Sequence, residues 1–470
     1  MGSAADNGSI MRTQSGAVAP EAEVAAFLEE HGEIETVEFF ITDANGIQRG
    51  KRVPAAKAQR AARDGIYLQR SIFATDIWSG DVEESGLLFE LGDPDTPCFM
   101  VPGSLRPVPW LERPTAQALL HMVDDEGRPF YGDPREVLIR VTERYRAEGL
   151  HPVVATEVEF NLCAARASSD AAPEPPVASP GGQPLAATQM FGISELEELD
   201  AFFHEVERAC SEQGIPNDTL IAEHGPAQYE INLGHVRDPV LAADYTVLLK
   251  RVIKGVAFKH GMEATFMAKP YGEHSGNGFH VHMSVCDDAG HNIFASEDPE
   301  VDGPLRWAIG GVVANMADSM AILAPNLNSY RRFVPGSFAP LTPVWGHDNR
   351  TLAVRVPRSN AANARLEHRV AGADANPYLV VAAVLAGAHD GLRHRLDPGP
   401  PIDGNAYEQD HTPLPNVWAQ ALDRLEASAH IAEYFGTDYQ SLYSTCKRQE
   451  LNAFARYVTP LEYSAYLRNV

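Results

Sequence analysis

The stretch ATEVEFNL sets Glu157 and Glu159 two residues apart among Val153, Val154, Val158 and Phe160. In an extended strand, residues i and i+2 point to one face, so two like charges are aimed at the same place. Their repulsion must be relieved by something on that face. The pattern recurs. In AQYEINL, Gln228, Glu230 and Asn232 alternate with Tyr229, Ile231 and Leu233. In FHVHMSV, His280, His282 and Ser284 alternate with Phe279, Val281, Met283 and Val285. In ARLEHRV, Arg365, Glu367 and Arg369 alternate with Leu366, His368 and Val370. A sheet face turned only to water would carry Thr, Lys and Ser instead. If these faces converge, with Glu223 added from IAEHGPAQ, they gather carboxylates around the His280 imidazole. That donor set suits Mg²⁺ or Mn²⁺ better than zinc or copper. Two or more such ions would neutralise the gathered acids.

Arginines supply the complementary chemistry. NSYRRFVPGS carries Arg331 and Arg332, NRTLAVR carries Arg350 and Arg355, and ARLEHR carries Arg365 and Arg369. Guanidinium recognises carboxylate and phosphate in two-pronged fashion. Divalent ions with arginines around a phosphoryl group are what phosphoryl transfer requires. The chain has no GxxxxGK[ST] loop, which disfavours a Walker-type ATPase. Gly276-Asn277-Gly278, just before His280, reads as a tight turn that lets backbone approach a ligand.

These strands need a large scaffold, and 470 residues supply a sizeable core and more than one domain. A tail over residues 1–20 reads as disordered and lacks the apolar stretch of a signal peptide. A helix around Glu21 to His31 precedes two strand-like runs that flank the hairpin signal Asp43-Ala44-Asn45-Gly46. Residues 76–114, rich in Gly and Pro, read as irregular. An N-terminal sheet domain is expected over 21–120 and a larger domain over 121–470. The latter opens on a helix capped by Asp133 with Pro134 at its first position. Residues 165–189 are rich in Pro, Ala and Ser and predict a flexible insertion. The chain from Leu414 onward is helical in pattern. The excess of 64 Asp+Glu over 38 Lys+Arg argues against nucleic acid or an anionic membrane as partner. No segment is long and apolar enough to predict a membrane span. Five scattered cysteines without a CxxC predict neither disulfides nor a thiolate metal site, and so a cytoplasmic protein.

With these residues in hand, the chain resembles the glutamine synthetase family from about residue 35 onward. The motifs TEVEFNL, AEHGPAQYEINL, FMAKPYGEHSGNGFHVHMS, NSYRRFVPG, NRTLAVRVP and RLEHRVAGADANPYL occur in family order. Within the family, GHVRDPVLAADY and KHGMEATFMAKP look most like the branch that joins glutamate to amines such as putrescine. The resemblance implies an α+β fold with a small β-grasp-like N-terminal domain and a large catalytic domain built on a curved antiparallel sheet. It also implies a homo-oligomer, a dodecamer of two hexameric rings. Carried over by motif, Glu159, Glu223 and Glu230 would hold one metal, and Glu157, His280 and Glu367 another. His282, Ser284, Arg350, Arg355 and Arg365 would serve ATP. Gly276, Arg332 and Arg369 would hold glutamate.

Two departures bear on the amine. Ammonia-using members carry a glutamate on the flap after NSYxRxVPGx, where this chain has Phe338. Those members also carry an aspartate in an N-terminal loop contributed across the subunit interface, where GIYLQRSIF offers Gln69. Without two carboxylates, NH₄⁺ loses its stabilisation, while an alkylamine gains a wall for its methylenes. The expected reaction is therefore ATP-dependent ligation of the γ-carboxylate of L-glutamate to an amine through γ-glutamyl phosphate. Putrescine or another polyamine is the preferred nucleophile, and Glu223, Arg350 and Arg332 are the catalytic candidates. An ammonia-dependent glutamine synthetase and a ligase for ethanolamine or monoamines remain the alternatives. Tyr407, in PPIDGNAYE, reads as ordinary loop packing and not as a modification site.

Overall fold

The computed structural model describes residues 19–470 apart from 90–91, 169, 179–181, 187–188 and 296–301. Most of the expected tail thus lies outside the described residues. The first described element is helix α1 (Pro20–Glu30). A hairpin follows, β1 (Thr36–Thr42) and β2 (Gln48–Pro54), then α2 (Ala55–Asp64) and β3 (Ile66–Gln69). The hairpin turn forms because the Asp43 carboxylate accepts from the amides of Asn45 and Ile47 at 2.9 Å each, and Gly46 takes φ +76°. The span 76–114 is less irregular than its Gly and Pro content predicts. It contains β4 (Asp95–Met100) and the short β5 (Arg106–Pro107), because Cys98 and Met100 alternate inward and bury completely. With β6 (Thr115–Met122) these strands make a six-stranded sheet of order β2-β1-β6-β4-β3, β5 pairing β6. Strands β1 and β6 run parallel. A division at residue 120 falls inside β6, whose pairing with β4 continues through Met122.

The second sheet opens after α3 (Pro134–Ala147), which Asp133 caps by accepting from Arg135 N at 2.9 Å. Its spine is β7 (Leu150–Ala164). The described part of 165–189 carries no helix or strand, yet Leu185 packs into the core. Helices α4 (Ile193–Glu197) and α5 (Asp200–Glu212) lead to β8 (Asn217–Ala222) and β9 (Gln228–Leu233). Then come α6 (Pro239–Lys259), β10 (Met262–Thr265), β11 (Phe279–Asp287) and α7 (Pro304–Leu323). Three short strands follow, β12 (Trp345–His347), β13 (Val354–Val356) and β14 (Leu366–His368), before α8 (Pro377–His394). The sheet order is β12-β13-β14-β11-β7-β9-β8, with β10 on β7. Every pairing is antiparallel except β12 with β13.

Val154, Val158, Phe160 and Leu162 of β7 and Phe279, Val281, Met283 and Val285 of β11 press their apolar faces into one core with α3, α6, α7 and α8. Asp238 and Asn376 cap α6 and α8, each accepting from two backbone amides. The approach of α7 to α8 depends on glycine: a Cβ on Gly311 would sit 2.0 Å from the Gly387 carbonyl oxygen. The C-terminal segment is helical as its pattern predicts: α9 (Trp418–Ala427), α10 (Ala429–Phe435), α11 (Thr437–Arg456) and α12 (Pro460–Tyr466). Leu442 and Cys446 of α11 pack beneath the N-terminal sheet. The Asn376 amide also donates to Asp43 O at 2.8 Å, tying the hairpin turn to the start of α8. Among the described residues no helix is long and apolar enough to cross a membrane, and all five cysteines are free and buried.

Candidate active site

Register brings the polar faces together. His280 of β11 lies opposite Glu157 of β7, Glu159 opposite Glu230 of β9, and His282 opposite Glu367 of β14. These residues stand on the sheet face away from the helices. There a cavity of about 810 Å³ is lined by Glu157, Glu159, Glu223, Glu230, His280 and Glu367 together with Arg332, Arg350, Arg355 and Arg369. Glu223 arrives from the turn after β8, where its amide donates to Gln228 O at 2.8 Å.

His280 Nδ1, in the cavity, lies 3.0 Å from Glu157 Oε2, and His282 Nε2, outside the lining, lies 2.8 Å from Glu157 Oε1. Burial would raise the Glu157 carboxyl, but these two imidazoles hold it well below the usual carboxylate range. Glu159 accepts from Gly278 N at 2.7 Å. The other acids lack such relief. Burial, and then the charges of Glu157, Glu159 and Glu223, push Glu230 well above the ordinary range. Burial and Glu159 push Glu223 up to about 7. Among the described residues no Lys or Arg forms an ion pair with Glu157, Glu159, Glu223 or Glu230. Glu367 is the exception. Arg355 Nη1 donates to one of its oxygens at 2.6 Å and Arg369 Nη1 to the other at 2.5 Å. Burial works against it, yet Arg369 and the two imidazoles bring it down to about 2.

This donor set fits a hard divalent cation. Glu157, Glu230 and His280 offer atoms within 4.8 Å of one another, and so do Glu157, His282 and Glu367. Carboxylate oxygen with one imidazole per group is Mg²⁺ or Mn²⁺ chemistry, and a cation would relieve the crowding that lifts Glu230. The groupings differ from the triads expected by motif. His282 stands with Glu157 and Glu367, because β11 offers both imidazoles to the same carboxylate. Ser284 lies farther along β11, opposite Val153 and outside the cavity lining. Arg365 also lies outside it, donating to His282 Nδ1 at 3.3 Å and Asn363 O at 3.3 Å.

Arg332 is 4% exposed and donates to Val370 O at 3.0 Å, with no ion-paired carboxylate among the described residues. Burial pulls its pKa down, against the nearby charges of Glu159 and Asp374. Arg350 lines the cavity, exposed and likewise without an ion pair. Gly276 lets the turn close on Arg332: a Cβ there would lie 2.4 Å from Ala268 O and 2.6 Å from Arg332 Cγ. Phe338 lines the cavity with its ring 53% exposed, and Tyr407 donates to Ala339 O at 3.0 Å, bracing that flap. Gln69, at the end of β3, is exposed and not part of the cavity formed within one chain. Sequence reasoning missed Met190, Phe191 and the segment Ile402–Asn405, which also line it. The MFG directly after a polar, Pro-rich stretch was the available signal, since a large apolar pair of that kind has no local core to join.

A model of the glutamine synthetase catalytic domain matches residues 131–466. The γ-glutamylputrescine synthetase PuuA of Escherichia coli (strain K12) is 40% identical over 447 residues, covering 95% of this chain and 94% of that protein. A glutamate–isopropylamine ligase of a Pseudomonas species is 34% identical over 455 residues, covering 94% and 97%. The solved structure of a GmaS–ADP complex superposes with a TM-score of 0.81 at 29% identity, covering 94% of this chain and 99% of that one. With its motifs, its paired sheets and its carboxylate-lined cavity, this chain belongs to the glutamine synthetase family.

Proposed function

We propose that the chain is an ATP-dependent ligase joining the γ-carboxylate of L-glutamate to an amine, with putrescine or a longer polyamine preferred. The observation that carries this reading is the composition of one cavity. It holds crowded carboxylates on one side, a buried guanidinium without a carboxylate partner on another, and an uncharged ring at 338. The identity with γ-glutamylputrescine synthetase supports the choice of amine. A glutamate γ-oxygen takes the terminal phosphoryl group of ATP, and the amine nitrogen then attacks the γ-carbonyl carbon as phosphate leaves. Glu157, Glu159, Glu223, Glu230, His280 and Glu367 would hold Mg²⁺ or Mn²⁺, which would neutralise these acids and supply positive charge to the nucleotide phosphates. Arg350 and Arg355 would serve the nucleotide from the cavity lining, and Arg365, His282 and Ser284 from beside it. Arg332, Arg369 and Gly276 hold glutamate, whose carboxylate gives Arg332 the anion it lacks. An alkylammonium must lose a proton before it attacks, and Glu223, beside the amine wall, accepts it.

The same reading makes the enzyme a cytoplasmic homo-oligomer, two hexameric rings, with Gln69 completing a neighbour's amine pocket. Supporting it are the exposure of Gln69 and of Leu461, Tyr463, Tyr466 and Leu467 around the last helix. An ammonia-dependent glutamine synthetase would share every metal and arginine position. The deciding experiment compares kcat/KM for putrescine, spermidine, ethanolamine and ammonium by ADP release. Putrescine or spermidine should lead, and ammonium leading would overturn the role given to Phe338.

A further inference from the structure

We propose that Met190 and Phe191, with Phe338, form an apolar slot that takes the methylene chain of the amine and sets the length preferred. This rests on the amine-ligase reading above. Met190, Phe191 and Phe338 are 50%, 58% and 53% exposed, yet all three line a cavity otherwise dominated by acids and arginines. Large apolar side chains left open inside a charged cavity mark a surface meant to be covered by ligand. Phe191 stands on the acid side. Its amide donates to Ala222 O at 2.9 Å, which fixes it next to Glu223. Phe338 stands on the arginine side. The neighbouring Ser337 hydroxyl donates to Arg332 O at 2.9 Å and to Val334 O at 2.7 Å. The slot therefore runs between the carboxylate that would take the amine's proton and the guanidinium that would hold glutamate.

The backbone adds an independent sign. Phe191 has φ +61° and Phe338 φ +56°, the left-handed region that bulky side chains rarely adopt. Among the described residues they are the only aromatic residues so strained, and both line this cavity. Strain of this kind persists where surrounding structure holds it for a purpose.

Glycine and asparagine both tolerate left-handed backbone, so Phe191→Gly, Phe191→Asn and Phe338→Gly remove a ring without straining the chain. The test measures kcat/KM along n-alkylamines from methylamine to pentylamine, and for putrescine, at saturating glutamate and ATP. In the unaltered enzyme each buried methylene should raise kcat/KM about fourfold until the slot is full. In Phe191→Gly and Phe191→Asn that slope should fall toward one, with the KM for glutamate unmoved, and Phe338→Gly should flatten it as well. ADP release with the slope unchanged in every variant overturns the slot alone. No ADP release from the unaltered enzyme with any amine overturns the ligase reading and the slot together.

Discussion

The two sheets treat their acids in opposite ways. In the N-terminal sheet Glu38 is gripped by Arg52 and by Arg251 of α6, and Asp43 receives Arg49 Nε at 2.9 Å. Nearby, at the junction with α11, Lys447 and Glu450 pair at 3.0 Å, both fully buried. Around the catalytic sheet Glu157, Glu159 and Glu230 share imidazoles, and Glu223 is crowded by Glu159, all four without a Lys or Arg ion pair. The first arrangement stabilises the fold, since a buried charge without a partner is costly. The second stores repulsion at a place where a cation can later enter. Glu367, held by Arg355 and Arg369, is the one acid of the catalytic sheet's cavity treated as the N-terminal acids are.

The sharpest way to break this contrast is to make the same substitution in both sheets. Glu230→Gln should abolish divalent-dependent ADP formation, lowering kcat/KM by about 10²-fold or more. Without added metal, the variant should melt higher than the unaltered chain, because a crowded acid has gone. An unchanged kcat/KM would remove Glu230 from the site. Next in size is the effect of metal itself. Mg²⁺ or Mn²⁺ at a hundredfold excess over Kd should stabilise the unaltered protein by about 2.7 kcal/mol. Calorimetry should show no comparable gain in Glu230→Gln. Glu38→Gln should behave in the opposite way, costing about 1–2 kcal/mol in urea denaturation while leaving the KM for ATP alone. A more stable Glu38→Gln would mean that the pairing with Arg251 is not stabilising.

The last expected effect concerns acid. His121 of β6 packs 6.2 Å from the Phe99 ring. Burial, and then the Arg135 charge, push it down to about 4. The folded pKa lies below the unfolded one, so the unfolded chain binds the proton more readily between them. Stability from this group is therefore complete above about pH 6.5 and lost as pH falls toward 4, by at most about 1.4 kcal/mol per pH unit. His121→Gln should flatten urea midpoints over that window. An identical pH profile in both proteins would exclude His121 as a source of acid sensitivity.

Much of the site is legible in the sequence because strand alternation is local. Glu157 with Glu159, and His280 with His282, share a face through nothing but a period of two. The caps Asp133 and Asp43 are equally local, each satisfied within a few residues. The strand Asp95–Met100 was hidden because its flanking Gly and Pro resemble loop, and only pairing with Ile66–Gln69 and Thr115–Met122 makes it a strand. Met190 and Phe191 were hidden for a related reason: their neighbours in the cavity come from distant turns. Gln69 shows the limit in reverse, since a residue legible by motif lies outside the cavity of its own chain.

What the residues decide unaided is the inventory: which faces are polar, which donors they carry, and hence the expectation of a hard cation with an anionic substrate. Residue types and period suffice for that, being properties of neighbours along the chain. Tertiary structure alone decided that Glu367 belongs to two arginines while Glu230 belongs to none, and that His282 joins His280 on one carboxylate. Charges interact through space with a strength set by separation and surrounding dielectric, and both come from register and burial, not from distance along the sequence.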